Sequence, residues 1–254
     1  VILEPNAHPG MANKAVGPFV QRVFLAFESA SDSFDRSKVR VVGTPIRKAF
    51  LESIEQSREQ SGSAHLLIFG GSQGAKGINT AVIEGLPDLM TQLPQFTVTH
   101  QTGESDHARV AEAYRRVGIE SQVVPFIYDM PAALRQADLV VARAGAMTVA
   151  ELTACGKPAI LVPLPSAIYD HQTHNAKVME AAGAAVLLPQ SDLTGALLAR
   201  TVTGILGDRD RLRAMGEASL SLRRIDAAEV IVRECYALMG GRHDVHRSVG
   251  AAGH

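Results

Sequence analysis

From residue 64 onward the sequence predicts an α/β fold, a Rossmann-like parallel sheet with helices on both faces. Three observations predict it: short apolar runs alternate with amphipathic patterns, two glycine-rich loops each sit between a strand and a helix, and the composition is that of a globular chain. Leu66-Leu67-Ile68-Phe69 reads as a strand, followed by Gly70-Gly71-Ser72-Gln73-Gly74 and a helical pattern with Ile78, Val82, Leu86 and Leu89 on one face. Phe96–Thr99 is a second strand, and Val110, Tyr114 and Val117 mark a helix closed by Gly118. Gln122–Phe126 is a third, with a helix over Met130–Ala137. Asp138–Val141 is apolar and β-branched, as a strand covered on both faces should be, and the helix former after it, Thr148–Ala154, stops at Gly156. Ala159–Val162 and Ala185–Leu188 are the last two strands, separated by a helix over Gln172–Ala182. Helical patterns near 192–206, 208–222 and 226–239 finish the series.

Residues 1–45 read differently. The chain opens on Val1-Ile2-Leu3, the end of a buried strand, and this predicts a natural protein that extends further toward its N-terminus. Two apolar runs, Phe19–Phe27 and Val39–Val42, flank the polar stretch Ser29–Lys38, and Gly43-Thr44-Pro45 breaks the pattern as a domain boundary would. The tail from Gly240 is expected to be disordered. With 46% hydrophobic residues and 20% charged ones among 254, the chain is a folded protein of one or two domains. A net charge of −1 leaves no basic footprint for nucleic acid. Cys155 and Cys235 form neither a disulfide framework nor a metal cluster, which suits a reducing compartment. No apolar stretch is long enough to span a bilayer, and no signal peptide is visible.

The most informative segment is Ala142–Glu151, which joins a strand end, a glycine turn, a helix N-terminus and a carboxylate six residues past the glycine. A helix N-terminus at the carboxyl end of a parallel strand offers free backbone N–H groups to an anion, typically a phosphate. Glu151 would then lie where it can accept hydrogen bonds from ribose hydroxyls. Thr148-Val149-Ala150-Glu151 equally fits a capping box, and the segment alone leaves both readings open. The loop Gly70–Ala75 allows close backbone approach to a ligand, with Ser72 as a hydroxyl donor, but it matches neither the phosphate loop nor the dinucleotide fingerprint. Asp170-His171-Gln172-Thr173-His174-Asn175 reads as a polar cluster for sugar hydroxyls or as an N-cap made by Asp170. His171 and His174 lack a third metal ligand nearby. Asp208-Arg209-Asp210 imitates the metal-binding D-x-D signature, but its place before a charged helix makes it a cap.

Four segments in order resemble the MurG family: Glu4-Pro5-Asn6 with Gly10 and Asn13-Lys14, then Val42–Arg47, then Gly70–Ala75, then Arg143–Glu151 followed by Asp170-His171-Gln172. Members of that family transfer N-acetylglucosamine from UDP-N-acetylglucosamine to undecaprenyl-linked lipid I, making lipid II. The resemblance runs to about residue 239 and implies a GT-B architecture of two facing Rossmann-like domains. Residues 1–46 would be the end of the N-terminal, acceptor-side domain, 47–225 the nucleotide-sugar domain, 226–239 a helix crossing back, and 240–254 the tail. By position, the main chain at Ile127 would read the uracil edge and Glu151 would hold the ribose. Ala146, Met147, Thr148, Val149 and Ala150 would present backbone donors to the pyrophosphate, with Ser72 adding its hydroxyl. Arg47 would help enclose the nucleotide, Gln172 would bind sugar hydroxyls, and Asn6 would approach the sugar across the cleft. The resemblance implies no cofactor and no metal, since a helix N-terminus can stabilise the departing UDP. It also implies a peripheral protein on the cytoplasmic face of the bacterial inner membrane, with the membrane surface as a partner and no nucleic acid.

The chain departs from the family pattern in ways that bear on activity. Leu3-Glu4-Pro5-Asn6 stands where the family often has His-Glu-Gln-Asn, and Thr173 stands where it often has a second Gln. The family's glycine-rich N-terminal loops, with the candidate base, have no counterpart here, so the catalytic base is unassigned and donor binding without turnover is the expectation for these residues alone. Competing readings are a related GT-B glycolipid glycosyltransferase, a UDP-N-acetylglucosamine 2-epimerase, and a non-catalytic nucleotide-sugar-binding fragment.

Overall fold

The computed structural model describes residues 1–55, 63–93, 95–165 and 170–240, and two parallel sheets organise them. The smaller sheet holds β1 (Ile2–Glu4), then, after the short helix α1 (Met11–Val16), β2 (Val23–Leu25) and β3 (Val39–Val41), in the order β1-β2-β3. On one face Val23, Leu25 and Ala30 are buried, with Ile2, Val20, Phe34, Val39 and Val41 packed against them, and Phe24 of β2 is buried as well. Only three residues of the apolar run Phe19–Phe27 are strand, and Phe19 itself is 88% exposed. The chain then passes Gly43 into α2 (Lys48–Glu55). Gly43 has φ +89°, and a Cβ there would lie 2.4 Å from the Arg224 Cβ. Glycine lets the segment between the sheets lie against the segment that returns past Arg224.

The larger unit runs β4 (Ala64–Phe69), α3 (Lys76–Gln92), β5 (Phe96–Gln101), α4 (His107–Val117), β6 (Ser121–Val124) and α5 (Met130–Gln136). It continues with β7 (Leu139–Ala142), α6 (Ala146–Ala154), β8 (Ala159–Leu161), α7 (His171–Ala181), β9 (Ala185–Leu187) and α8 (Gly195–Leu206). Two further helices, α9 (Arg209–Ser221) and α10 (Ala227–Leu238), close the described chain. The strand order is β6-β5-β4-β7-β8-β9, all parallel. The chain therefore winds outward from β4 in one direction and then, from β7, in the other. Loops at the carboxyl ends of the two strands flanking that reversal form a crevice.

Successive side chains of a strand point to opposite faces, and here each face has its own core. Leu66, Ile68, Leu139, Val141 and Ile160 meet Ile78, Val82 and Leu86 of α3 and Leu198 and Val202 of α8. Leu67, Phe69, Val140, Ala142 and Leu161 meet Leu134 of α5, Val149 and Leu152 of α6, Met179 of α7 and Phe50 of α2. Burying a side chain of this size stabilises by about 1.5–3 kcal/mol. This two-sided covering explains why the strands read as continuous apolar runs.

Local starts and stops follow residue chemistry. Asp138, just before β7, is fixed to β4 from both sides, its carboxylate accepting from the His65 N–H at 2.7 Å and its own N–H donating to His65 O at 2.8 Å. Asp208 caps α9 by accepting from Arg211 N at 3.0 Å, in line with its reading as a cap. Asp170 precedes α7 with φ 35° and makes no side-chain cap hydrogen bond, so of the two readings open for this segment the N-cap is not the one formed. Neither α1 nor α2 is expected from the sequence pattern. On α10, Glu234 pairs with Arg22, next to β2, at 3.1 Å. The tail expected to be disordered lies, beyond Gly240, outside the described residues. Among the described residues, no helix is long and apolar enough to cross a membrane.

Candidate functional site

The pairing of Phe69 with Ala142 sets the carboxyl ends of β4 and β7 side by side. The loop Gly70–Ala75 and the turn at Gly145 therefore share the crevice at the reversal point. The first loop is held by a close approach between backbones. Gly74 has φ +75°, and a Cβ there would meet Thr102 O at 1.9 Å; a Cβ on Gly103, at φ +78°, would meet Gln73 O at 2.1 Å. Behind it, buried Asn79 donates to Thr102 O at 2.9 Å and to Asp106 at 2.8 Å, and its own carbonyl faces His100 Nε2 at 3.1 Å. Burial pushes the His100 imidazole down to about 3, so the ring in this network is neutral. Ser72, at the tip of the loop, is exposed.

The second element is the start of α6. Gly145 is the N-cap, with extended backbone and no side-chain cap, and the helix begins at Ala146. Thr148 is thus the third residue of the helix and cannot be its cap, so the capping-box reading fails. Val149 N donates to Gly145 O at 3.0 Å, and its side chain is buried in the core. The N–H of Ala150 falls next in the same i to i−4 ladder. Of the five backbone donors expected at 146–150, the free ones are those of the first turn, Ala146, Met147 and Thr148.

Glu151 projects from α6 with its side chain 13% exposed, and Arg47 lies 3.7 Å away with its side chain 62% exposed. The Arg47 guanidinium stacks over the Phe50 ring, 5.0 Å from its centroid. Burial pushes the Glu151 carboxyl above the ordinary carboxylate range, and Arg47 pulls it part of the way back. A buried carboxylate with one exposed cationic neighbour is suited to accept hydroxyl hydrogen bonds from a ligand.

Two further loops carry candidate residues. Ile127 is half-buried between exposed Phe126 and Tyr128, whose rings pack edge to face at 5.1 Å. Its N–H is engaged by Gln101 Oε1 at 2.8 Å, which leaves its carbonyl as the main-chain group it can offer a ligand. Gln172 accepts from Leu164 N at 2.9 Å and ties α7 to the loop after β8. Arg143, buried, donates to Val162 O, Pro163 O and Gln190, which fixes the root of that loop. A cavity of about 440 Å³ opens between Leu164, Thr173 and Gln190.

Asn6 comes from the smaller sheet. Its N–H and amide nitrogen both donate to Glu4, at 3.0 and 3.2 Å, and its carbonyl accepts from Asn175 at 3.1 Å. Asn175, fully buried, also accepts from Ala7 N at 2.8 Å and donates to Ala144 O at 3.1 Å. One amide thus ties Asn6 to the residue before the Gly145 turn. His171 reaches the same segment, its ring nitrogen donating to His8 O at 2.9 Å. The His8 and His174 rings lie 4.8 Å apart, and among the described residues no group of three or more His, Cys, Asp or Glu is placed to hold a metal ion. Asn175 was visible in sequence only as a member of a polar run. Gln101 carried no signal in the sequence, where it lies two residues past the strand read over Phe96–Thr99.

The fold and crevice define a doubly wound α/β ligand-binding protein with an anion-receptive helix N-terminus at its reversal point. Residues 65–231 match the glycosyltransferase family 28 C-terminal domain, and the chain belongs to that family. It is 45% identical, over 94% of its length, to the UDP-N-acetylglucosamine--N-acetylmuramyl-(pentapeptide) pyrophosphoryl-undecaprenol N-acetylglucosamine transferase of Syntrophus aciditrophicus, and spans 66% of that relative. Among solved structures it resembles Acinetobacter baumannii MurG, with TM-score 0.77 and 33% identity, covering 92% of this chain and 66% of that one. A putative UDP-N-acetylglucosamine 2-epimerase from Listeria monocytogenes shares the fold, with TM-score 0.67 and 12% identity over 94% of this chain and 65% of that one.

Proposed function

We propose that this chain carries the donor-binding part of an inverting N-acetylglucosaminyltransferase, which moves the sugar from UDP-N-acetylglucosamine to undecaprenyl-linked lipid I and so makes lipid II. The observation that carries the reading is Glu151, a carboxylate 13% exposed beside Arg47, on the helix whose free N-terminus faces the crevice. The name of the Syntrophus aciditrophicus relative supports the same donor and acceptor.

In this reading the Glu151 carboxylate accepts from the ribose hydroxyls, and Arg47 closes over the nucleotide. The N–H groups of Ala146, Met147 and Thr148, with the Ser72 hydroxyl, receive the pyrophosphate. The Ile127 carbonyl meets the uracil edge, Gln172 binds sugar hydroxyls, and Asn6 faces the sugar from the smaller sheet. The acceptor oxygen attacks the anomeric carbon, the bond to UDP breaks, and its electron pair leaves with the UDP. Negative charge grows on that phosphate, where preorganised N–H donors and the helix dipole stabilise it. The hydroxyl proton passes to a general base outside the residues assigned here. Residues 1–46 belong in this reading to the acceptor-side domain, 47–225 to the donor domain, and 226–239 to a helix returning to the first. The reaction belongs at the cytoplasmic face of the bacterial inner membrane, where a peripheral protein meets a lipid-linked acceptor.

Calorimetry with UDP-N-acetylglucosamine tests the reading, with UDP-glucose as the specificity control. Glu151→Ala is expected to weaken binding by about 1–3 kcal/mol, the worth of hydrogen bonds lost from a buried polar group. Equal affinity in a folded Glu151→Ala variant overturns the ribose role. Conversion of the donor without any acceptor would instead identify an epimerase.

A further inference from the structure

Gln101, the last residue of β5, has no role in the assignments above, yet its side chain hydrogen-bonds to two of the crevice loops. It is 2% exposed, and its two polar ends serve different loops. Nε2 donates to Gly71 O at 2.8 Å, and Oε1 accepts from Ile127 N at 2.8 Å. Gly71 O also accepts from Gly74 N at 2.9 Å, so Gln101 grips the first loop at the bond that closes its turn. The second loop is anchored at its near end by main-chain bonds, Thr102 N to Val124 O and Gly103 N to Pro125 O. Gln101 reaches across to Ile127, beyond those bonds.

We propose that Gln101 is a positioning residue that sets the spacing between the loop at Gly70–Gly74 and the loop at Ile127, and so the fit of the diphosphate and base ends of the donor. The proposal rests on the donor reading above, and Gln101 acts through Gly71 and Ile127 without touching the ligand. A primary amide presents one donor face and one acceptor face at fixed separation, which this bridge requires. Leucine would fill the same space with neither, leaving the Ile127 N–H without its partner. An ionised glutamate would keep the acceptor for Ile127 but set a second oxygen against Gly71 O. A protonated glutamate would restore both bonds, its O–H donating to Gly71 O. Burial against a carbonyl raises the pKa of such a carboxyl, so protonation falls in an accessible range.

The test is the affinity of the whole chain for UDP-N-acetylglucosamine, whose diphosphate is esterified at both ends and keeps its charge between pH 8 and about pH 5.5. At pH 8, Gln101→Leu and Gln101→Glu are each expected to bind about tenfold more weakly than wild type. As the pH falls, Gln101→Glu recovers toward wild type while Gln101→Leu does not, a separation that general loss of packing would not produce. Wild-type affinity in both folded variants overturns the proposal, and so does a weak Gln101→Glu that never recovers. If the wild-type chain fails to bind the nucleotide sugar, it is the donor reading that falls. The bridge is then judged by amide exchange at Ile127, which accelerates about tenfold or more in Gln101→Leu if the bridge holds that loop and is unchanged if it does not.

Discussion

The two sheets are built from the same parallel pairing but held by different forces. In the six-stranded sheet, alternate residues of β4, β7 and β8 feed two separate apolar cores, one on each face. The three-stranded sheet has three buried apolar residues in its own cluster and leaves Phe19 and Met11 largely exposed. Polar contacts take over where apolar burial is scarce. Glu4, 1% exposed, accepts from Asn6 N, Asn6 Nδ2, Gly10 N and Asn13 Nδ2, and so shapes the whole turn after β1. Asn175 then fastens that turn to the larger unit. The larger sheet carries two cores of its own, and the smaller is joined to it by directional bonds together with the apolar contact of Phe27 against one of those cores. The candidate site draws on both, with its helix N-terminus on the rigid side and Asn6 on the tethered side.

The sharpest way to break the rigid side is a methyl group at Gly74. A Cβ there meets Thr102 O at 1.9 Å, and φ is +75°, so backbone and not a movable side chain must give way. Gly74→Ala is expected to cost about 4 kcal/mol or more in urea unfolding. Gly183 is the control: its φ is +79° but nothing lies within 4 Å of its would-be Cβ. Gly183→Ala should cost only about 1 kcal/mol, the backbone term alone. Similar losses at both positions would mean that the close approach of the two loops contributes nothing.

The same contrast governs what sequence reading could reach. The inner strands β4, β7 and β8 of the larger sheet were legible because burial on both faces forces continuous apolar runs, as in Leu139-Val140-Val141-Ala142, while β5 and β6 were legible from shorter apolar and β-branched stretches. The smaller sheet was harder: its three-residue strands sit in mixed surroundings, and α1 has neither a side-chain cap nor an acidic first turn to announce it. Glu151 and the glycine turn were legible because they are close in sequence. The helix start was placed two residues late because Gly145 caps without a side chain, while Thr148 and Glu151 imitate a capping box. Gln101, Asn175 and Gln190 act through partners that are distant in sequence, such as Ala7, 168 positions from Asn175. Local pattern holds no trace of such contacts.

The tethered side is probed by Asn175→Ala. The substitution removes three hydrogen bonds and leaves Ala7 N–H and Ala144 O without their partner in a buried place. The expected loss is about 2–3 kcal/mol. Its distribution is more telling than its size. Amide protection should fall in β1 to β3 and stay near wild type in β4, β5 and β7, where protection tracks core burial. A uniform fall over both sheets would show that they unfold as one unit and that the small sheet has no separate dependence on its tether.

The smallest effect per step is acid sensitivity, and it again separates the two regions. His100 is fully buried in the larger unit, between Tyr114, Asn79 and, through Asn79, Asp106, with its pKa lowered from 6.5 to about 3 by desolvation. The unfolded chain takes up this proton near 6.5 and the folded chain does not until about 3, so in that window the unfolded state binds more protons. The penalty is absent above pH 6.5 and grows as pH falls, by up to about 1.4 kcal/mol per unit, levelling off below pH 3. Urea titrations at successive pH values should show that slope in wild type and a shallower one in His100→Gln, whatever the variant's stability at neutral pH. His8, at the tether, is also held below 6.5, by burial first and then by Lys14, His174 and His171. Its protonation brings positive charge toward those neighbours, so acid should raise amide exchange around residues 6–10 before it reaches β4 and β7. Exchange rising first in the larger sheet would place the weak point of the molecule in the His100 network and not at the junction.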